Sequence, residues 1–414
     1  MAVIRAFKGI RPAEEFASRV AALPYDVMSS DEAREMVKDN PYSFLHVDKA
    51  EIDLEENIDL YDEKVYLKAR ENLDKMIVDG VMVQDDKPHL YVYRQIRQGR
   101  VQTGIVACAS IDDYINNKIK KHENTIAEKE QDRINHVSYC DAHTGPIFLT
   151  YRSNEGINEI VEKYTKGEPV YDFPSEDGTV QMIWTINNED DLNKLEELFK
   201  GVDSLYIADG HHRAASAVRV GQIRREQNPD YTGDEEFNFF LSVIFPDKDL
   251  YIMDYNRVVK DLNGLTTDEY MLKVSEKFEV SQYEGEGQYK PSSQRTYGMY
   301  LDGKWYKLSA KEGSYNLEDP VSRLDVSILQ DNLLNPVLGI QNPRTDKRID
   351  FIGGGRGLKE LERRVERGMK VAFSMYPTTI ADLMGIADAG EVMPPKSTWF
   401  EPKLRSGLFI HRLK

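Results

Sequence analysis

Between Ser204 and Val220 the chain reads as strand, tight turn and helix, and this punctuation constrains the fold more than any other stretch. Leu205-Tyr206-Ile207 is a short apolar run suited to a strand, Asp209-Gly210 interrupts it, and Ala214 to Val220 is a strong helix former. A turn at a helix N-terminus presents backbone N–H groups and the positive end of the helix dipole. That makes it a ready anion site, and Arg213 adds a planar fork able to grip a phosphate. The same residues have a plain structural reading, with Asp209 as helix cap, Gly210 as turn and His211-His212 as half-exposed surface. Both readings stand at this level.

The rest of the chain supplies more strands and helices in alternation. His89 to Arg94 and the nearly all-apolar Val101 to Ile111 read as strands, the second inside a sheet. Pro146 to Tyr151, Val180 to Thr185 and Phe239 to Phe245 follow, and Pro41 to Val47 is a further strand candidate. Helical signals cover Ser30 to Val37, Ile58 to Asp79, Ala127 to Cys140 and Asp190 to Phe199, while Asp172 to Gly178 reads as irregular. A boundary near Pro246 separates a first domain, 1–245, from a second, smaller α/β domain, 246–414. In the second, Arg348-Ile352, Leu358-Glu366, Lys370-Ser374 and Thr378-Ala387 alternate strand and helix. Gly353 to Gly357 lies between two of them, but lacks the spacing of a phosphate loop or dinucleotide fingerprint.

With 71 acidic against 54 basic residues, the net charge of −17 argues against nucleic acid as a partner. No apolar run approaches the roughly 20 residues that span a bilayer, and the start Met1-Ala2-Val3-Ile4-Arg5 lacks signal-peptide architecture, so a cytoplasmic location is expected. Cys108 and Cys140 have no metal spacing and read as buried packing residues.

Chemistry-bearing residues gather in a few places. Asp26, after Pro24-Tyr25, suits either a site lip or a turn. His122-Glu123-Asn124-Thr125 follows an apolar strand, where α/β sites collect. In the next helix, Asp132 and His136 share a face, with Arg133 expected to point elsewhere. Five of the eight histidines fall between His122 and His212. Imidazole with carboxylate suits zinc or iron, yet no His-x-x-x-His or His-Glu-x-x-His pair occurs, and phosphate handling accounts better for Gly210 and Arg213. Near the end, prolines stiffen a loop carrying Lys396, Ser397, Thr398 and Lys403. It reads either as a cover for an anionic site or as a surface strap packed by Trp399 and Phe400.

Pro24-Tyr25-Asp26-Val27, His122 to Thr125 with Asp132-Arg133, Asp209-Gly210-His211-His212-Arg213, and Met393 to Thr398 with Pro402-Lys403 resemble the signature blocks of domain-of-unknown-function family 1015. That family is similar to the ParB/sulfiredoxin superfamily, in which a turn of the Gly-x-x-Arg type holds nucleotide phosphates. The superfamily includes kinases that phosphorylate free serine from ADP or ATP, and ParB proteins that hydrolyse CTP. The resemblance implies a ParB/sulfiredoxin-like first domain and a nucleotide pocket of Gly210, His211, His212 and Arg213, and the loop residues Lys396, Ser397 and Thr398 are expected to add to its phosphate contacts.

The function expected is a nucleotide-dependent small-molecule kinase acting on free serine or a similar hydroxyl metabolite, with ATP, ADP or CTP as the nucleotide. Phosphoryl transfer needs cations around the phosphates, a magnesium ligand and a carboxylate to orient the hydroxyl. Asp209 or Glu123 could hold magnesium, and Glu123 or Asp26 could act as base. His122 belongs to the catalytic set, with Asp132, Arg133 and Lys403 in support. The other reading is a ParB-like switch that binds or slowly hydrolyses nucleotide and has no small-molecule acceptor. A sulfiredoxin-like reductase would need a cysteine in the phosphate turn, where this chain has histidines.

Overall fold

A computed structural model describes residues 2–414 and shows a mixed α/β protein. Its contacts divide the chain into two units, one of Met1–Leu250 with Pro402–Lys414, the other of Tyr251–Glu401.

The first unit is built on a nine-stranded mixed sheet: β1 Ile4–Arg5, β2 Leu90–Arg97, β3 Arg100–Ser110, β4 Ile119–Lys120, β5 Ile147–Tyr151, β6 Tyr171–Pro174, β7 Val180–Ile186, β8 Leu205–Asp209 and β9 Phe239–Pro246. In space they run β4-β8-β5-β9-β3-β2-β7-β6, with β1 paired to β3. The apolar runs lie at the centre, and β9 is buried along its whole length, as a strand covered on both faces must be. Two helices of this unit, α1 Ala127–Cys140 and α2 His211–Gln227, pack against each other.

α2 carries small residues on its buried side, Ala214, Ala217 and Gly221 among them. A Cβ on Gly221 would come within 2.5 Å of the Phe237 carbonyl oxygen and 2.7 Å of the Ile111 Cδ1. Gly221→Ala is therefore expected to lower stability by about 1–3 kcal/mol in urea unfolding, overpacking outweighing alanine's better helix propensity.

The boundary expected near Pro246 falls at Leu250, and the chain returns to the first unit at Pro402. The return is held by backbone pairing. Ser406 bridges to Ala22, Ile410 to Ile10, and His411-Arg412 pairs with Ala142-His143. Phe409 packs against Tyr91 and Tyr93, and such long-range pairing leaves no local trace in the sequence.

Two other local readings differ. The segment read as a strand at 41–47 instead forms the helix Leu45–Asp48, where the Ser43 hydroxyl accepts from the Leu45 N–H and Phe44, Leu45 and Val47 are buried. The stretch read as irregular overlaps β6, an edge strand whose Tyr171 and Phe173 are buried, and an edge tolerates its Pro174.

In the second unit, six strands form an antiparallel sheet in the order Phe278–Gln282, Lys304–Ala310, Thr296–Leu301, Val371–Ser374, Tyr255–Val259, Ile349–Gly353. Helices Thr267–Lys277, Lys359–Glu366 and Ile380–Asp388 accompany it, with Val258, Trp305, Ile352, Leu361 and Ala372 forming a core cluster.

Candidate functional site

Sheet order explains why two clusters distant in sequence meet. β8 runs parallel to β4, with Tyr206 opposite Lys120, so His122-Glu123 leaves the sheet at the same end as Asp209-Gly210. Gly210 is the N-cap of α2 at φ 91 and ψ 36, a left-handed conformation that favours glycine, and no side chain caps the helix. The cap role open to Asp209 is therefore not the one it has. Its Oδ2 accepts from Arg213 Nη2 at 3.2 Å, and its Oδ1 from Lys403 Nζ at 3.3 Å. The missing side chain at Gly210 is what lets the guanidinium fold back over the turn, since a Cβ there would sit 3.0 Å from Arg213 Nε. Arg213 Nη1 also donates to the Pro146 carbonyl oxygen.

The histidines are packed as neutral rings. His122 and His211 meet edge-on with ring centroids 4.4 Å apart, and the His122 backbone N–H donates to His211 Nε2 at 3.4 Å. His211 Nδ1 lies 3.9 Å from a Glu123 carboxylate oxygen. The Ile126 N–H donates to His212 Nε2 at 3.0 Å. Burial pulls His122 down to about 4, with Asp209 pulling the other way, and burial and neighbouring His122 hold His211 well below the usual range. Neutral imidazoles cannot supply phosphate-binding charge, so the cations at this turn are Arg213 and Lys403.

Behind the turn lies a cavity of about 30 Å³ whose wall includes Tyr25, Asp48, Arg133, His143, Thr144 and Arg213. Arg133 does not point away, as its position beside Asp132 suggested. Its guanidinium folds over the Tyr25 ring at 4.1 Å and pairs with Asp132 at 2.7 Å, bringing it to the cavity that His136 also lines. Asp132 is tied to Tyr66, whose hydroxyl donates to it at 3.0 Å, and stands one side chain back from the cavity.

Asp48 accepts from the Thr144 hydroxyl at 2.8 Å, and burial pushes its carboxyl up, against Ser406, Arg133 and Thr144. The sequence reading missed Asp48, Thr144 and Ser406. They come from segments far apart in the chain, and only the apolar run preceding Asp48 hinted at its burial.

Asp26 is exposed in the short turn Tyr25–Val27. Lys396, Ser397 and Thr398 belong to the second unit. There the Ser397 hydroxyl donates to the Pro394 carbonyl at 2.6 Å, and Arg257 Nη2 donates to the Lys396 carbonyl at 3.0 Å.

Magnesium does not fit Asp209 as this site stands, because both its oxygens already face cations and a metal there would be repelled by Arg213 and Lys403. Among the described residues no group of three or more His, Cys, Asp or Glu side chains could hold a metal ion. No helix among them is long and apolar enough to cross a membrane.

Fold and turn together define a two-unit α/β protein with a polar site where a strand passes into an uncapped helix. The chain belongs to the family described as protein of unknown function (DUF1015), which matches residues 4–327. No curated protein matches it. Among solved structures, a free serine kinase in complex with AMP is similar at 16% identity and a TM-score of 0.36, covering 74% of this chain and 91% of that one. A conserved hypothetical protein from Pyrococcus furiosus is similar at 16% identity and TM-score 0.35, over 74% and 95% of the two chains. SbnI with C-terminal truncation from Staphylococcus aureus is similar at 10% identity and TM-score 0.36, over 74% and 87%. Superpositions this loose transfer neither a residue nor an activity.

Proposed function

We propose that this protein is a nucleotide-dependent small-molecule kinase, passing a phosphoryl group from ATP or ADP to the hydroxyl of free serine or a similar metabolite, and that its first unit has a ParB/sulfiredoxin-like core. One observation carries the reading: Arg213 and Lys403, from positions far apart in the chain, converge on Asp209 beside the uncapped N-terminus of the 17-residue helix α2. Phosphoryl transfer is mainly positioning and charge neutralisation, and two cations beside the positive end of a helix supply both. On this reading the first turn of α2 takes the phosphates, with Arg213 and Lys403 along their flank. Glu123, partly exposed beside His211, orients the acceptor. Any magnesium arrives with the nucleotide.

Incubation with ATP, ADP or CTP, magnesium and a pool of hydroxyl metabolites, followed by mass spectrometry, tests the reading. A phosphorylated acceptor is expected. Free phosphate alone would favour a nucleotide-hydrolysing switch, and absence of nucleotide binding would overturn both.

A further inference from the structure

Three glutamines stand in register across neighbouring strands of the first unit's sheet. Gln95 of β2 lies opposite Gln102 of β3 on one side and opposite Gln181 of β7 on the other. They are 0%, 3% and 0% exposed, so each amide must find its partners inside the protein. Directly opposed residues share a face of the sheet, and these form a continuous ladder. Gln102 Nε2 donates to Gln95 Oε1 at 2.7 Å, and Gln95 Nε2 donates to Gln181 Oε1 at 3.1 Å. The Tyr93 hydroxyl donates to the same Gln181 oxygen at 2.5 Å, and Gln181 Nε2 donates to the Ser175 hydroxyl at 3.1 Å.

An amide nitrogen carries two N–H groups, so the ladder leaves one over on Gln95 and one on Gln102. Both go to the segment that returns from the second unit. Gln95 Nε2 donates to the Lys403 carbonyl at 2.9 Å, and Gln102 Nε2 donates to the Pro402 carbonyl at 3.3 Å. A flipped Gln95 would set its oxygen against two other oxygens and its N–H groups against those of Gln102. The partners therefore fix the direction of the ladder.

Buried amides cost stability unless every donor and acceptor is met, and apolar side chains at the same three positions would carry no such demand. What the amides add is a hold on the backbone of one short segment, which lies outside any strand where it passes Lys403. Two residues further on, Arg405 Nη2 pairs with Asp177 at 2.6 Å and secures the segment again. Between these anchors Lys403 extends to the turn before α2, where its Nζ meets Asp209 Oδ1 at 3.3 Å.

We propose that the glutamine ladder is a positioning device for the phosphate turn: Gln95, held by Gln102 and Gln181, fixes the Lys403 backbone so that its ammonium stands at Asp209. The proposal rests on the kinase reading, in which Lys403 flanks the phosphates. A lysine carries a point charge on a flexible four-carbon stem, so the place of that charge depends on where its backbone is held. Arg213 differs, because it belongs to the helix whose first turn it serves. Gln95 is a positioning residue, acting through Lys403 alone.

Gln95→Met keeps an unbranched side chain of similar length and removes the donor. It is expected to lower kcat roughly 10- to 100-fold and to raise the ATP Kd about 5-fold, as a displaced charge does. In a Lys403→Met background the same change should cost nothing further in either constant, because the group it positions is gone. A glutamine that only supports the fold would add its full loss to that of Lys403→Met, and additive losses would overturn the proposal. Should Gln95→Met not fold, Gln102→Met runs a milder form of the same cycle, with a smaller loss that again vanishes without Lys403. If wild type binds no nucleotide, the kinase reading fails by itself. The hold on Lys403 is then read from urea unfolding, where the coupling between Lys403→Met and Asp209→Asn should fall by about half or more once Gln95→Met, or Gln102→Met, is introduced, and an unchanged coupling would sink the ladder's role.

Discussion

Arg213→Ala is expected to weaken ATP or ADP binding about 10-fold and to lower turnover by roughly 10²- to 10³-fold, as removal of a preorganised cation from a developing charge does. The side chain commits Nη1 to the Pro146 carbonyl and Nη2 to Asp209, two of the five N–H donors a guanidinium has. Arg213→Lys retains the charge without the fork, and should recover affinity better than rate. Asp209→Asn is the informative companion. It removes an anion that would face the phosphates, so binding without magnesium should tighten, while the looser hold on Arg213 and Lys403 costs about 1–3 kcal/mol of stability. Isothermal titration of ATP, ADP and CTP with and without magnesium, alongside urea unfolding of each variant, separates a binding effect from a folding one. Unchanged affinity in Arg213→Ala would end the phosphate-turn reading.

Lowering the pH from 7 toward 4 should destabilise the first unit by several kcal/mol, well before its carboxylates titrate fully. His122 is held down to about 4 by burial, whereas an unfolded chain protonates it near its ordinary 6.5. Between those values the unfolded chain binds a proton that the folded chain refuses. The contribution is therefore fully present above 6.5 and lost as pH falls to 4, amounting to about 3 kcal/mol. His136, His143 and His211 are lowered in the same direction by burial and add to the slope. Asp48 has the opposite sign. Burial raises its carboxyl, so its share is present below the unfolded aspartate range and lost as pH rises through the folded value, offsetting part of the histidine loss in acid. Urea unfolding at pH 7.5, 6, 5 and 4.5 should show the decline, and His122→Gln should flatten it by about one histidine's share. A level profile in wild type would contradict neutral buried rings.

How much of this was legible in the sequence depends on how far apart the interacting groups lie. The turn at Asp209-Gly210 and the start of α2 at His211 follow from a few adjacent residues, because an apolar run, a glycine and alanine-rich neighbours are enough to select strand, left-handed turn and helix. The buried fates of Cys108 and Cys140 were readable for the same reason, each lying in a segment whose periodicity marks it as interior. The short segment at 41–47 went the other way because burial of Phe44, Leu45 and Val47 satisfies a helix turn as well as a strand.

Local sequence determined the mixed α/β class, the central strands and the candidate turn, since these depend on propensity and spacing within one segment. Tertiary structure alone decided what the turn's side chains face. Lys403 reaches Asp209 because the final residues pair back onto the first unit, and Arg133 turns inward because Tyr25 offers a ring to cover it. Asp48, Thr144, His143 and His411 become partners only once separate segments close around one small cavity and its wall. Hydrogen bonds and charge pairs act over a few ångströms of space, whatever the distance along the chain. No reading of neighbouring residues can supply those contacts before the sheet order is known.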